Sequence, residues 1–130
     1  MAQTIKQKNK ETNNLASNGM KEASAELNSY RQSPRKVRLV ADAIRGKKVS
    51  QAKSILTFLT KRSTGPIHKL LNSALANAKS MDAKEESLIV KSITVNQGDI
   101  LYRRMPAAHG ASHPIRKRMS KIKLVLAEKK

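Results

Sequence analysis

The chain has no cysteine and no tryptophan among its 130 residues. Without thiols there is no disulfide, no thiolate nucleophile and no Cys-ligated zinc, and the redox compartment is left unconstrained. Tyr30, Phe58 and Tyr102 are the only aromatic residues, too few for a sheet that stacks successive bases. Acids are scarce as well. Nine Asp and Glu stand against 27 Lys and Arg, a formal net charge of +18. That excess opposes self-association and draws the chain towards nucleic acid or an anionic membrane. No apolar run approaches the roughly 20 residues a spanning helix needs, so no membrane partner is expected. Residues 1–20 lack the apolar core of a signal peptide, and Glu11 and Glu22 interrupt the acid-poor pattern of a transit peptide. The expectation is a cytoplasmic protein. Residues 1–23 show little apolar periodicity and read as a disordered extension before a single domain over residues 24–130.

Recognisable catalytic chemistry is also missing. No phosphate-cradling glycine loop follows a strand, and Asp42 has no second carboxylate at helix spacing. A Ser–His–Asp triad assembles in space and leaves no fixed spacing, but nothing here resembles a nucleophile elbow. His109 and His113 are four apart, yet Gly110 and Pro114 oppose the helix that would put them on one face. No enzyme, metal or cofactor is expected.

What the chain does have is a cationic ribbon. Residues 88–95 (Leu-Ile-Val-Lys-Ser-Ile-Thr-Val) are rich in β-branched side chains, as a half-buried strand should be. In residues 121–126, Ile122, Leu124 and Leu126 alternate with polar neighbours on one face. The intervening residues 96–120 are too many for a tight turn. Met105-Pro106 and His113-Pro114 flank Gly110, so the middle carries turn chemistry. Arg103, Arg104, Arg116, Lys117, Arg118, Lys121 and Lys123 supply cations there, with no acid between 103 and 123. Two such strands form a long hairpin, residues 88–128, whose outer half leaves the body. Burying an unpaired charge in protein costs several kcal/mol, so the surroundings of that ribbon should be a polyanion. Leu88 and Val90 oppose Ile93 and Val95 in parity: either the strand bulges near Lys91-Ser92, or both faces are partly covered.

Three helices precede the ribbon. Ser33 caps and Pro34 opens the first, with Val37, Val40, Ala41 and Ile44 as its apolar stripe and Gly46 at its end. Its other side carries Arg35, Lys36, Arg38 and Arg45, extended by Lys47-Lys48. The second is expected to begin near Ser50, a good cap, burying Ala52, Ile55, Leu56 and Leu59, with Lys61-Arg62 at its end. Gly65-Pro66 starts the third, where Ile67, Leu70, Leu71, Ala74, Ala78 and Met81 share one stripe and Met81 fills core. His68 is expected on its polar side. Residues 25–31 predict a short edge strand with Leu27 and Ser29 inward. The fold class is α+β, three helices packed on a small antiparallel sheet with a protruding β-hairpin.

A long, narrow cationic ribbon suits the irregular surface of folded RNA, recognised by shape and backbone. The first helix pair superficially suggests a helix-turn-helix, and the alternative is a DNA-binding or nucleoid-associated protein; against it, the basic helix comes first. Pro34-Arg35-Lys36-Val37-Arg38-Leu39-Val40-Ala41-Asp42 with Ile44-Arg45-Gly46-Lys47 resembles the family of the bacterial-type large-subunit ribosomal protein number twenty-two. So do Lys69-Leu70-Leu71-Asn72-Ser73-Ala74 with Ala76-Asn77-Ala78, and Arg104-Met105-Pro106-Ala107-Ala108 with Gly110. The resemblance covers about residues 29–126. It implies a structural constituent of the large ribosomal subunit that binds large-subunit ribosomal RNA, supports early assembly and neighbours other ribosomal proteins. It further implies that the body sits near the outer mouth of the peptide exit tunnel and that the hairpin lines the tunnel beside the nascent peptide.

Together, the basic pattern and the resemblance assign RNA contacts to Arg35, Lys36, Arg38, Arg45, Lys47, Lys48, Lys61, Arg62, Arg103, Arg104, Arg116, Lys117, Arg118 and Lys121. Carried over by resemblance, the tunnel-lining tip is Tyr102, Arg103, Arg104, Met105, Pro106, Ala107, Ala108, His109, Gly110, Ala111 and His113. This tip is less basic than the family pattern, with Ala107 and Ala111 where Arg is common and Tyr102 where Lys is common. Fewer phosphate contacts follow there, or compensation by Tyr102 stacking and partly protonated histidine.

Overall fold

The structure, a computed structural model, describes residues 22–128. Most of the expected disordered extension, residues 1–21, lies outside the described residues. Strand β1 (Glu22–Tyr30) already includes Glu22 and Ala23 and begins three residues before the expected edge strand. Ala23 and Ala25 are the side chains it buries, with Leu27 half-buried. Ser29 does not face inward. It is exposed at φ 55°, in an irregularity that sets residues 28 and 29 against Lys121 alone.

Helix α1 (Pro34–Ile44) starts at Pro34, and its whole predicted stripe is buried. Ser33 occupies the cap position without a side-chain cap bond; its carbonyl accepts from the Lys36 and Val37 amides. Gly46 takes the left-handed conformation (φ 72°) that ends the helix, and its amide donates to the Val90 carbonyl. Helix α2 (Val49–Phe58) is capped at Lys48 rather than Ser50. Val49 explains the shift: it is fully buried, and the first helical turn carries it into the core. Ala52 and Leu56 are buried and Ile55 and Leu59 partly so. Helix α3 (Thr64–Lys79) buries Ile67, Leu70, Leu71, Ala74 and Ala78 as expected, together with Leu75. Met81 is not core. The helix stops at Lys79, the chain turns through Asp82 at φ 58°, and Met81 is left 46% exposed. His68 is half-buried, 3.5 Å from the Asn72 amide nitrogen.

A 3-10 turn (Glu85–Ser87) leads into β2 (Leu88–Pro106), which pairs antiparallel with β3 (Ser112–Glu128). The sheet order is β1-β3-β2, so β3 is central. Of the two explanations for the parity break in β2, the bulge holds: Val90 pairs with Leu126 and Ser92 with Val125, leaving Lys91 extra. Val90, Ile93, Val95, Ile122, Leu124 and Leu126 therefore all reach the helix-covered face, where one core joins them to the helices. Among the described residues no helix is long and apolar enough to cross a membrane.

The two long strands run unbroken through the region expected to be mostly turn. Met105-Pro106 and His113-Pro114 are ladder residues, paired Arg104 with Pro114, Met105 with His113 and Pro106 with Ser112. Only residues 107–111 form the turn, with His109 and Gly110 both at positive φ. In a two-stranded ribbon every second N–H points outward, so a proline at such a position breaks no ladder bond.

Candidate nucleic-acid interface

The ribbon leaves the body at one level of the sheet. Around Ser120, β1 carries its irregularity at residues 28–29, and β2 carries another where Gly98 and Asp99 oppose Met119 alone. A Cβ on Gly98 would lie 3.3 Å from the Met119 backbone, so a side chain there would push the strands apart. Two bulges flanking one residue sharpen the local twist and aim the ribbon outward. Beyond Ser120 and Val95 no ribbon side chain is buried, and residues 102–106 and 108–114 are all exposed. The projecting part is about 30 Å long, from a strand rise of ~3.3 Å per residue.

Register divides the ribbon into two faces, because directly paired residues point the same way. Ile100, Tyr102 and Arg104 lie opposite Arg118, Arg116 and Pro114. This face continues the helix-covered face of the sheet and holds three of the ribbon's arginines beside Tyr102, which is 61% exposed. The other face pairs Leu101 with Lys117, Arg103 with Ile115 and Met105 with His113, mixing cations with apolar groups. Arg103 donates to the Tyr102 carbonyl at 2.8 Å. Lys121, paired with Asn96, belongs to the helix-free face of the body.

Helix α1 lies along the outer edge of β2. Arg38 donates from Nε and Nη2 to the Val95 carbonyl (3.2 and 3.0 Å), and Arg45 donates from Nη2 to the Ile93 carbonyl (3.1 Å). Farther along, the Val90 amide bonds to the Lys47 carbonyl and Lys48 bridges to Ile89. Two of the cations expected to contact RNA thus also occupy carbonyls of an edge strand that would otherwise be open to pairing. The sequence showed their charge but not this task, which depends on where β2 lies. The result is a row of cations along β2, from Lys48 and Lys47 through Arg45, Arg38 and Arg35, that reaches Arg118 at the ribbon root.

Lys61 and Arg62 fall elsewhere. The Tyr30 hydroxyl donates to the Arg62 carbonyl at 3.3 Å, which puts this pair beside β1, on the far side of the root. Lys36 is exposed on α1. The second helix offers little to a DNA groove, since Lys53 is engaged at 2.6 Å by Glu85.

Among the described residues the ribbon carries no acid from residue 100 outward, and four acids of the body are paired. Glu22 pairs with Lys91, Glu26 with Lys123 at 2.9 Å, and Asp42 with Arg45 at 2.8 Å. Glu85 bonds both Lys53 and Lys79 (3.1 Å), and these hydrogen bonds, Lys53 first, hold its carboxyl below the usual value. Among the described residues no ion pair involves Arg103, Arg104, Arg116, Lys117, Arg118 or Lys121. A recess of about 390 Å³ between β1 and α3 is lined by Leu27, Pro66 and Leu70 with one acid, Glu26, and one cation, Lys69. It has no bias towards a polyanion. Among the described residues no group of three or more His, Cys, Asp or Glu is placed to hold a metal ion.

The family model described as "Ribosomal protein L22p/L17e" matches residues 25–127. The "Large ribosomal subunit protein uL22" of Mesoplasma florum is 50% identical over 112 residues, covering 84% of this chain and 98% of that protein. The protein of the same name from Desulfitobacterium hafniense is also 50% identical, over 85% and 98% of the two chains. That of Deinococcus radiodurans is 47% identical over 100 residues, 76% of this chain and 75% of its own.

Proposed function

This chain belongs to the ribosomal protein L22p/L17e family, and we propose that it binds large-subunit ribosomal RNA through the β2-edge cations and the ribbon. Its relatives are proteins of the large ribosomal subunit, and a structural constituent of that particle, not an enzyme, is what it is. The observation that carries the RNA reading is the division of charge. Four acids of the body, Glu22, Glu26, Asp42 and Glu85, pair with its own lysines and arginines, whereas the ribbon presents arginine and lysine with no acid from residue 100 to 127. A two-stranded ribbon with no core is marginal in water, and phosphates beside it supply what the chain itself lacks.

In this reading the body anchors the protein on the RNA surface in early assembly, beside neighbouring ribosomal proteins. The ribbon enters the particle, and residues 102–113 form part of the wall past which the nascent peptide moves. The arginine-rich face with Tyr102 turns to RNA. Competition between large-subunit ribosomal RNA and duplex DNA of equal charge tests this directly. Tighter binding to the ribosomal RNA, with a steep salt dependence, is expected. Equal or tighter binding to DNA would replace it with the nucleoid reading.

A further inference from the structure

At the root of the ribbon, where α1 begins, Ser33, Pro34, Arg35, Arg38, Gln97 and Arg118 line a recess of about 360 Å³. Three guanidinium groups and no acid line it, and the elements that supply them are separated by 60 residues or more in sequence. The geometry points to a site for one tetrahedral phosphate group, held by Arg35, Arg38 and Arg118, in which the β2 backbone sets Arg38 in place beforehand. Resting on the RNA reading above, it assigns that phosphate to the ribosomal RNA backbone.

Arg38 is the member of the site that the fold holds in place. A guanidinium has five N–H donors in a rigid plane. Arg38 commits two of them to the Val95 carbonyl, which fixes the plane and leaves the others free to serve a ligand. Such an arginine has already lost its rotamer freedom on folding, so binding does not have to order it. Arg35 and Arg118 are exposed and bring charge from two other directions. Gln97 adds an amide donor that can bond a phosphate oxygen. The rest of the cationic row differs: the recess at Lys47 holds a single cation, and Arg45 is engaged by the Ile93 carbonyl and Asp42. A phosphate seated here would fix the angle between body and ribbon relative to the RNA, because its ligands come from α1, β2 and β3 together.

The test uses the full chain and inorganic phosphate as probe, read by NMR at the Arg38 Nε–H and the Gln97 side-chain amide. Saturable shifts with phosphate, absent with chloride at matched ionic strength, are expected. The double variant Arg35→Gln/Arg118→Gln should weaken phosphate binding roughly tenfold or more, as expected for lost charged hydrogen bonds. Lys69→Gln/Lys84→Gln, which removes two exposed cations outside the recess, should leave it unchanged. Shifts that grow linearly at every arginine, or are equal in the two variants, would overturn the site and leave a diffuse ionic atmosphere. The source of the phosphate is read separately, from ribosomal RNA affinity. A loss in Arg35→Gln/Arg118→Gln that exceeds the loss in Lys69→Gln/Lys84→Gln, which removes the same charge, supports the backbone assignment; equal losses overturn it. Saturable phosphate binding without preference for ribosomal RNA over duplex DNA would uphold the recess and overturn the RNA reading instead.

Discussion

Strands β2 and β3 each serve two regions of the molecule, and the regions obey different rules. In the body half, Ile93, Val95, Ile122 and Leu124 alternate into a core that three helices close. In the outer half the backbone ladder continues from Ile100 to Pro106 while the apolar alternation ceases. The comparison separates what backbone pairing does from what side chains do. Hydrogen bonds keep the two strands together over their whole length, but only side-chain burial ties them to anything else. Where burial ends, at Ser120, the chain places charge, and from there its stability depends on what surrounds it.

The largest contrast is in truncation. Leu124→Ala, at a fully buried position, should cost about 3 kcal/mol in urea unfolding, whereas Ile115→Ala on the ribbon should cost well under about 1. Similar losses at both positions would mean that the ribbon shares the core. Next comes charge. Replacing Arg104, Arg116 and Arg118 by Gln should lower the salt slope of RNA binding by about two units and leave stability within ~0.5 kcal/mol. A full slope after that change would place these arginines away from phosphate.

Arg38→Ala acts on both halves, because its guanidinium covers the β2 edge at Val95. A loss of about 1 kcal/mol in stability is expected before any RNA is added. An unchanged unfolding midpoint would show that the edge does not need it. The smallest effect is at Glu85. Its depressed carboxyl pKa means that the ties to Lys53 and Lys79 stabilise fully above pH about 4.5 and fade as the pH falls below it. Glu85→Gln should therefore cost about 0.5 kcal/mol at neutral pH, limited by solvent screening, and nothing in strong acid. A cost that persists at pH ~2 would assign the effect to packing.

Much of this was legible in local pattern. The stripe of α1, the glycine that ends it and the parity break near Lys91 follow from spacing, since each is decided within a few residues; that the break is a bulge shows only in the pairing with β3. The errors fell where distant contacts decide. Ser50 is a good cap by type, but burial of Val49 starts α2 earlier. Met81 continues a helical stripe that the chain abandons two residues before it. Met105-Pro106 and His113-Pro114 look like turns until the register shows them paired across the ribbon. The site was read as a collection of cations. Its layout was not, because the row along β2 and the recess at the root require α1 to lie against an edge strand that is 48 to 57 residues away in sequence.

Amide hydrogen exchange over residues 100–118, with and without bound large-subunit ribosomal RNA, bears most directly on why the ribbon projects. Fast exchange in the free chain, slowed strongly by RNA while the helices and the sheet at 122–126 change little, is the expected result. Equal protection of the ribbon in both states would show that the chain holds it in place unaided, and a polyanion would no longer be needed to account for it.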